Sequence, residues 1–438
     1  MANCTSQLIE VGCMQKSNSF TSEQRKVLVL SSLGGALEYY DFIIYIFFAH
    51  VIEKLFFAQS SPYIATLKTL AIFSIGYLLR PLGGIIFAHF GDRYGRKVVF
   101  LVTVLFMAIP SLAIGLLPTT AQIGVTAPVL LLIFRMMQGL ALGGEIPAAL
   151  TFVSEHVEGY RQGFSLSTLF AGINMGMLIA SGVTTILSSS LSEAQLLEYG
   201  WRIPFIIGGL FGLASMFLRR YLQETAAFKS LRPKDVQKIP FVELMRHSSK
   251  QVFQGTLLIA IASVCVFIFL YWPQYLHQYF HYDFSLIVRI NTIGTFFLSL
   301  MILVGGSLTD RFGYRRVYLM GTGALVLLSY GFFALLTIQG LVWVIFSYMI
   351  FATIFCILPA SYAIILTHLF PTPIRYSGVA MSYNLAYAFF GGMSPLICTV
   401  MIQYFDSVLA PGIYLTIVAC VSWSACYFGP KLITNVKL

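Results

Sequence analysis

Residues 91–97 read GDRYGRK, and a second version of the pattern, DRFGYRR, stands at residues 310–316. The two copies lie about half of the 438-residue chain apart. A pattern that returns at this distance indicates a duplicated fold. Parallel repeats of this kind are one plan on which membrane transporters are built, with the substrate between the halves. The sequence therefore predicts two similar halves of about six helices each.

The composition is that of a protein that crosses a membrane many times. Hydrophobic residues make up 58% of the chain and charged residues 10%, whereas soluble domains are about 45–50% apolar and about 25% charged. Residues 98–134 and 317–367 contain no Asp, Glu, Lys, Arg or His. Each run can hold two helices of about 20 residues, with turns at Pro118 and Gly340. We predict an all-α polytopic membrane protein with about twelve transmembrane helices.

The net charge of +10 is explained by membrane topology. If both termini are cytoplasmic, most basic residues fall in cytoplasmic segments, and this asymmetry follows the positive-inside rule. We therefore expect both termini in the cytoplasm, a multi-pass location in the plasma membrane (the inner membrane of a bacterium) and no nucleic-acid partner. The basic residues that remain elsewhere are Lys54, Lys68, Arg80, Arg135, Arg202 and Arg289.

The predicted spans also divide the chain into regions. The stretch between the halves is basic, contains Pro233 and Pro240, and is too polar to span a membrane. We interpret it as a cytoplasmic linker. The predicted regions are a cytoplasmic tail at 1–22, a first half at 23–221, the linker at 222–250, a second half at 251–428 and a cytoplasmic tail at 429–438.

No motif in the chain indicates an enzyme or a metal site. The sequence has no HExxH, no GxxxxGK[ST] and no GxSxG, so metalloprotease, ATP-driven and serine hydrolase chemistry are not expected. None of the seven cysteines forms a CxxC pair, and we interpret them as small apolar residues. We expect no metal, no cofactor and a monomer, with the bilayer, a small-molecule substrate and protons as partners.

Two acids lie within the apolar first helix, in GGALEYYDFIIYIFF at residues 34–48. Glu38 and Asp41 are three residues apart and share a helix face, which Tyr45 extends by one turn. An acid at the centre of a bilayer costs roughly 3 kcal/mol on insertion scales. We predict a proton-coupling site that faces a cavity, with Asp41 as the proton carrier and Glu38 as an ion-pair partner. The alternative is a helix end with both acids in headgroup water.

The fourth helix adds Arg135 and Glu145, which begin and end RMMQGLALGGE. Ten residues correspond to about 15 Å along a helix and to nearly the same face. A buried arginine favours the charged form of nearby acids, so Arg135 could couple proton binding to the binding of a substrate carboxylate. The alternative is a structural ion pair with an acid of the first helix. Glu145 fits the coupling site and a cytoplasmic gate equally well.

Arg80 and a group of second-half aromatics are candidate substrate ligands. The planar guanidinium of Arg80 can bind a carboxylate through two hydrogen bonds. Pairing with Glu38 or Asp41, or a role in the gate, is the alternative. Aromatic faces and an amide could surround an aliphatic or cationic part of the substrate, although ordinary packing would also explain them. These candidates, with Tyr45, are Tyr271, Trp272, Tyr275, Tyr383, Asn384 and Tyr387.

These stretches resemble a known family. The two repeated loops resemble the signature of the major facilitator superfamily. ALEYYDF at 36–42, RPLGG at 80–84, RMMQGLALGGE at 135–145, WRIPFIIGG at 201–209 and LFPTPIRYSG at 369–378 are similar to the metabolite:proton symporter family. Members of that family carry proline and betaine, citrate, 2-oxoglutarate or shikimate. The resemblance implies the major facilitator fold, with two six-helix halves and twelve transmembrane helices.

The resemblance also implies a role for the repeated loops. It makes them cytoplasmic gates that form and break as the halves rock, although positive-inside charge alone would also explain their basic residues. The chain departs from the family pattern at Ala88, where the loop usually has glycine, and it lacks the long C-terminal coiled coil of osmosensing members. We therefore do not expect an osmosensor. The gate residues are Asp92, Arg93 and Arg96 in the first loop, and Asp310, Arg311 and Arg315 in the second.

The first hypothesis for function is a proton-coupled symporter that imports a small organic acid or zwitterion by alternating access. The second is a proton-coupled exporter of a drug or of a secreted metabolite such as a carboxylate siderophore. The third is a non-transporting membrane sensor that binds a ligand without flux. None of the three is an enzyme.

Overall fold

The computed structural model describes residues 22–94, 96–157, 161–219, 240–338, 340–370 and 372–429. These ranges are almost entirely helical and contain no β-strand. All twelve predicted spans can be located in them. In chain order the helices are Ser22–Phe47 with Ala49–Phe56, Pro62–Leu78 with Arg80–Tyr94, Arg96–Leu116, Thr126–Leu142 with Glu145–His156, Gln162–Ser190, Arg202–Arg219, Pro240–Phe280, Phe284–Phe312, Tyr314–Thr337, Leu341–Phe355 with Leu358–His368, Thr372–Ala386 continuing through Tyr387–Gly391 to Ser394–Phe405, and Ala410–Phe428. We refer to these twelve units as the first to twelfth spans.

The lengths and surfaces of these helices fit a bilayer. In the described residues, ten helices are long and apolar enough to cross a membrane, and the bent first span makes eleven. The third span contains a shorter apolar helix, Val102–Leu116. Large apolar side chains such as Leu116, Leu327 and Val342 are exposed on the outside, which is stable in lipid and unfavourable in water. The prediction of an all-α polytopic fold is confirmed.

Several spans are broken near their middle, and proline explains four of the breaks. Pro81, Pro147, Pro359 and Pro395 lie within the first turns of the helices that follow the breaks in the second, fourth, tenth and eleventh spans. Because proline has no backbone N–H, it leaves a carbonyl of the preceding turn without its helical partner. The breaks therefore place free backbone carbonyls deep inside the protein, where polar side chains can reach them.

The two halves contact each other through several pairs of spans. The fifth span packs along the eighth and also contacts the tenth, and the eleventh span packs against the second and the fourth. A cavity of about 30 Å³ remains between the halves near the middle of the protein, which is room for only one or two water molecules. The two halves therefore lie close together around this cavity. Its walls include Tyr39, Phe170, Asn174, Tyr362, Tyr383 and Tyr387.

Predicted boundaries agree with the structure at the turns and differ at the linker. The helix break after Leu116 and the positive φ of 136° at Gly340 confirm the turns expected at Pro118 and Gly340. The seventh span begins at Pro240 and has non-helical geometry at Ser248. The linker is predicted at residues 222–250. Its last part, residues 240–250, is therefore helical, because the helix of the seventh span begins at Pro240. Residues 220–239 lie outside the described part.

Candidate functional site

Arg80 lies at the centre of an aromatic cage. It begins the second helix of the second span and is 0% exposed. Its guanidinium carbon lies 5.3 Å from the ring centre of Tyr77, 5.3 Å from that of Tyr387 and 5.6 Å from that of Tyr383. Tyr383 and Tyr387 are four residues apart, share a helix face and stack at 4.3 Å. We call Arg80, Tyr77, Tyr383 and Tyr387 the Arg80 cage.

The guanidinium of Arg80 lacks an acceptor. Within the described residues, none of its three nitrogen atoms has a hydrogen-bond partner, although all three are buried. An uncompensated buried charge is strongly unfavourable, and cation–π contacts offset only part of that cost. The described side chains include no ion pair between Arg80 and Asp41, which removes one alternative for Arg80. The cage therefore suits an anionic group such as a carboxylate.

Two hydrogen bonds between the halves lie on opposite sides of the cage, which we call outer and inner after the orientation predicted from the sequence. On the outer side, the Ser74 hydroxyl donates to the Gly392 carbonyl at 2.7 Å. On the inner side, Asn384 Nδ2 donates to the Gly143 carbonyl at 2.5 Å. The Gly143 carbonyl is free because its helical partner would be the missing N–H of Pro147. We call these contacts the outer seal and the inner seal.

Close approach of the second and fourth spans depends on glycine. A Cβ atom at Gly139 would lie 1.8 Å from the Gly76 carbonyl oxygen, and one at Gly143 would lie 2.3 Å from that of Arg80. Any other residue would push these backbones apart, as the small residues of RMMQGLALGGE predict. The glycines thus bring the backbone of Gly143 within reach of Asn384.

A second buried polar group surrounds Asp41. The Asp41 carboxylate is 2% exposed, and its Oδ2 accepts hydrogen bonds from the Ser111 hydroxyl and, at 3.4 Å, from Gln138 Nε2. Gln138 Nε2 also donates to Ser111 Oγ at 2.6 Å. Arg135 Nη1 donates to Gln138 Oε1 at 2.9 Å. Arg135 therefore reaches Asp41 through the Gln138 amide.

Tyr45 packs against Arg135 but does not offer its hydroxyl to the cavity. The Arg135 guanidinium lies 4.5 Å from the Tyr45 ring centre and 5.7 Å from that of Phe73. The Tyr45 hydroxyl donates to the Thr69 carbonyl at 3.1 Å. Tyr45 therefore supports the arginine, and the structure gives no basis for the predicted substrate contact. The side chains of Glu38 and Glu145 lie outside the described part.

Three aromatics of the seventh span are placed away from the cavity. The Tyr271 hydroxyl lies 2.9 Å from Thr399 Oγ1, and the Tyr275 hydroxyl donates to the Val408 carbonyl at 2.7 Å. Trp272 packs 4.4 Å from Tyr348, within the second half. These three residues are not among those that line the described cavity, and their role in substrate binding stays a prediction. The residues of this span that do line it are Ala262 and Val266.

The second-half loop contacts the first half through Asp310. Its carboxylate accepts from the backbone N–H groups of Gly163 at 2.7 Å and Phe164 at 2.9 Å. These N–H groups lie in the first turn of the fifth span, where a helix end favours negative charge. Arg315 donates to the Tyr427 carbonyl at 3.1 Å, within its own half. Only Asp310 of the second-half gate residues thus has a described hydrogen bond across the halves.

The remaining predicted gate residues stay predictions. Arg311 lies over the Phe312 ring at 5.4 Å, within the eighth span. The side chains of Asp92, Arg93 and Arg96 are outside the described part of the chain.

The sequence interpretation missed Gln138, Ser111, Ser74 and Pro147. Gln138 had a local signal, because it lies three residues after Arg135 and so shares its face. Pro147 had one too, because it lies four residues after Gly143 and leaves that carbonyl free. Ser111 and Ser74 had none, since each acts on a residue of another span.

Comparisons with known proteins find relatives along most of the chain. A family model described as Major Facilitator Superfamily matches residues 31–395. The proline/betaine transporter of Salmonella typhimurium is 33% identical over 411 residues, which cover 91% of this chain and 81% of that protein. The putative proline/betaine transporter of Staphylococcus aureus strain COL is 33% identical, with 92% and 88% covered.

Solved structures show the same fold. The proton:xylose symporter XylE, bound to 6-bromo-6-deoxy-D-glucose, superposes with a TM-score of 0.74 at 15% identity. The match covers 94% of this chain and 96% of that one. A partially occluded inward-open form of XylE from E. coli gives a TM-score of 0.73.

Proposed function

Because the chain belongs to the major facilitator superfamily, a family of membrane transporters and not of enzymes, we propose that it is a proton-coupled symporter. In this proposal it imports a small zwitterion or organic acid by alternating access of its two halves. The resemblance to metabolite:proton symporters agrees with its relatives, which are named proline/betaine transporters.

The Arg80 cage is the observation that carries the proposal. A carboxylate would supply the acceptors that the Arg80 guanidinium lacks, through two parallel hydrogen bonds. The rings of Tyr383 and Tyr387 would then face the rest of the substrate, where aromatic faces favour a cationic or aliphatic group. One arginine matches one carboxylate, so a zwitterion such as proline or betaine fits better than a polycarboxylate.

The buried polar contacts of Asp41 support proton coupling. Asp41 is buried in the first span and is connected to Arg135 through Gln138. Protonation of Asp41 would remove its negative charge, and the field at Arg135 would change with it. Arg135 would pass this change toward the cavity because it packs on Phe73, whose neighbour Tyr77 belongs to the Arg80 cage. Glu38 and Glu145 remain additional candidates for coupling.

The contacts between the halves support alternating access. In this structure the hydrogen bonds of both the outer seal and the inner seal are formed, and Asp310 accepts a hydrogen bond from the start of the fifth span. Import requires the outer seal to open first and the inner contacts to open after the substrate is bound. We propose the two repeated loops, including Asp92, Arg93, Arg96, Arg311 and Arg315, as the inner gate. Both termini would then be cytoplasmic.

Uptake into proteoliposomes tests the function. Radiolabelled glycine betaine or proline is added outside the proteoliposomes. A pH gradient with the acidic side outside is expected to drive its accumulation inside, and a protonophore is expected to abolish this accumulation. Accumulation only with the gradient reversed would indicate an exporter. Binding of either probe without any flux would indicate a sensor. Each of these two results would contradict the import proposal.

A further inference from the structure

The two oxygen atoms of the Asp41 carboxylate have different surroundings. Oδ2 accepts from Ser111 and Gln138. Oδ1 is buried and has no hydrogen-bond donor among the described residues. It faces the sixth span at Gly208, where a Cβ atom would lie 2.3 Å away. An oxygen that already accepts hydrogen bonds has less capacity for a proton than one that accepts none. The two oxygens of the Asp41 carboxylate therefore differ in their capacity to take up a proton.

The orientation of the Gln138 amide maintains this asymmetry. Arg135 has only donors, so it selects the Oε1 atom of Gln138, at 2.9 Å. The Nε2 atom must then point to Ser111 and Asp41. A flipped amide would place two donors against the guanidinium and a carbonyl oxygen against the carboxylate. Gln138 is fully buried, so water does not relieve either conflict.

We propose that Gln138 is a positioning residue of the coupling site, which holds Asp41 by Oδ2 and leaves Oδ1, against Gly208, as the atom that takes up the proton. This inference rests on the proposed role of Asp41 in proton coupling. Nothing in the predicted set of coupling residues includes Gln138, Ser111 or Gly208.

The chemical step is the addition of one proton to Oδ1. An O–H bond forms, no covalent bond breaks, and the carboxylate loses its negative charge. Oδ2 then becomes a carbonyl oxygen, a weaker acceptor for Ser111 and Gln138. The Gln138 amide is released from Asp41 while it still accepts from Arg135. Proton uptake thereby weakens the connection between Asp41 and Arg135.

Among the described side chains, two titratable groups act on Asp41. Arg135 is the charged group of the fourth span that faces it, and Tyr40 is its neighbour in the first span. The Tyr40 hydroxyl donates to the Pro204 carbonyl at 3.0 Å. The third and sixth spans present Ser111 and Gly208, which do not titrate in this range. Among these described groups, a shift in pH dependence on changing Gln138 is attributable to Asp41.

The test compares Gln138→Leu with Gln254→Leu, a matched change at a buried glutamine of the second half. The readout is the pH midpoint of gradient-driven glycine betaine uptake in proteoliposomes. Loss of a donor destabilises the charged carboxylate, so the Gln138→Leu midpoint is expected to rise by about one pH unit. Gln254→Leu is expected to keep the wild-type midpoint. A Gln138→Leu midpoint that is unchanged or lower overturns the proposal.

Two smaller changes keep the test decisive if Gln138→Leu does not fold. Ser111→Ala removes the other donor to Oδ2 and is expected to raise the midpoint as well. Gly208→Ala fills the space at Oδ1 and is expected to abolish gradient-driven uptake while glycine betaine counterflow continues. Gly182→Ala is the control, because its Cβ would meet no atom within 4 Å. Wild-type behaviour of both Ser111→Ala and Gly208→Ala overturns the proposal.

Asp41→Asn separates this inference from the proposed function. It is expected to abolish gradient-driven uptake while leaving glycine betaine counterflow measurable. If Asp41→Asn retains gradient-driven uptake, the coupling role of Asp41 is wrong. If Asp41→Asn loses it but the changes at Gln138, Ser111 and Gly208 have no effect, only the positioning role is wrong.

Discussion

Arg80 carries a guanidinium group in the interior of the protein. Three tyrosine rings surround this group, and none of the described residues accepts a hydrogen bond from it. Arg135, also 0% exposed, differs because the Gln138 amide accepts from it. The two arginines therefore have different roles in our proposal. In this proposal Arg80 binds an anionic ligand, whereas Arg135 is part of a hydrogen-bond network within the protein.

Replacing Arg80 by lysine tests the carboxylate contact. Lysine keeps the charge but lacks the planar fork that binds both carboxylate oxygens. Loss of one charge-assisted hydrogen bond is expected to raise the KM for glycine betaine uptake by about tenfold or more. Arg289→Lys, at an exposed arginine that bonds to Ser285, is the control and is expected to behave as wild type. An unchanged KM in Arg80→Lys would remove Arg80 from the binding site.

Substitutions at Tyr387, which stacks on Tyr383 beside Arg80, test the aromatic part of the cage. Tyr387→Phe keeps the ring face, and Tyr387→Leu removes it. Because cation–π contacts in a desolvated site are worth roughly 2 kcal/mol, Tyr387→Leu is expected to reduce glycine betaine affinity by about thirtyfold. Tyr387→Phe is expected to stay within about twofold. Both affinities are measured by isothermal calorimetry on detergent-solubilised protein, and equal losses in the two variants would argue against a role for the ring face.

Helix breaks are the functional feature at the scale of elements. The fourth span is interrupted at Gly143 and Gly144, and both carbonyls accept from the eleventh span, Gly143 from Asn384 at 2.5 Å and Gly144 from the Tyr376 hydroxyl at 3.2 Å. A continuous helix would satisfy these carbonyls within itself. The proline at position 147 thus makes the inner seal possible by leaving an acceptor for the opposite half.

A double-mutant cycle tests this explanation of the inner seal. Asn384→Leu leaves the Gly143 carbonyl unsatisfied, which costs roughly 1–3 kcal/mol and is expected to lower the thermal unfolding temperature by several degrees. Pro147→Ala restores the backbone N–H, so the loss caused by Asn384→Leu is expected to be smaller in the Pro147→Ala background. Strict additivity of the two changes would show that they do not share the Gly143 carbonyl.

At the scale of the whole molecule, the fifth and eighth spans form a polar contact that extends through the membrane. Asp310 binds the start of the fifth span on the inner side. Asn174 Nδ2 lies 3.4 Å from Ser299 Oγ near the middle, and the hydroxyls of Ser181 and Thr292 are 2.7 Å apart toward the outer side. Small hydroxyl groups can exchange such bonds during the rocking motion that we propose. This contact is therefore where relative motion of the halves can be measured.

A disulfide at the outer part of this contact is expected to stop transport. The Ser181 and Thr292 oxygens are close enough for cysteine sulfur atoms at these positions to form a bond of about 2.05 Å. In a Ser181→Cys, Thr292→Cys variant of a cysteine-free background, oxidation is expected to abolish proline uptake and reductant to restore it. Ser181→Cys alone is expected to be insensitive to oxidant. Full uptake by the cross-linked protein would contradict alternating access by rocking halves.

Helical spacing brings residues of one span side by side. Tyr383 and Tyr387, four residues apart, stack on each other. Tyr271 and Tyr275, also four residues apart, have ring centres 6.0 Å apart. Both pairs show the same helical spacing, but only the first faces the cavity, because the spacing of residues does not state how a helix is rotated against its neighbours.

The sequence by itself determined the membrane class, the duplicated arrangement, the positions of the spans and the residue types available for binding. It did so because apolar runs, repeated loops and helical spacing are local properties of the chain. Only the tertiary structure decided that Arg80 is surrounded by Tyr77, Tyr383 and Tyr387, and that Gln138 connects Arg135 to Asp41. These contacts join residues of different spans, and they depend on the rotation and close approach of packed helices, which no local pattern encodes.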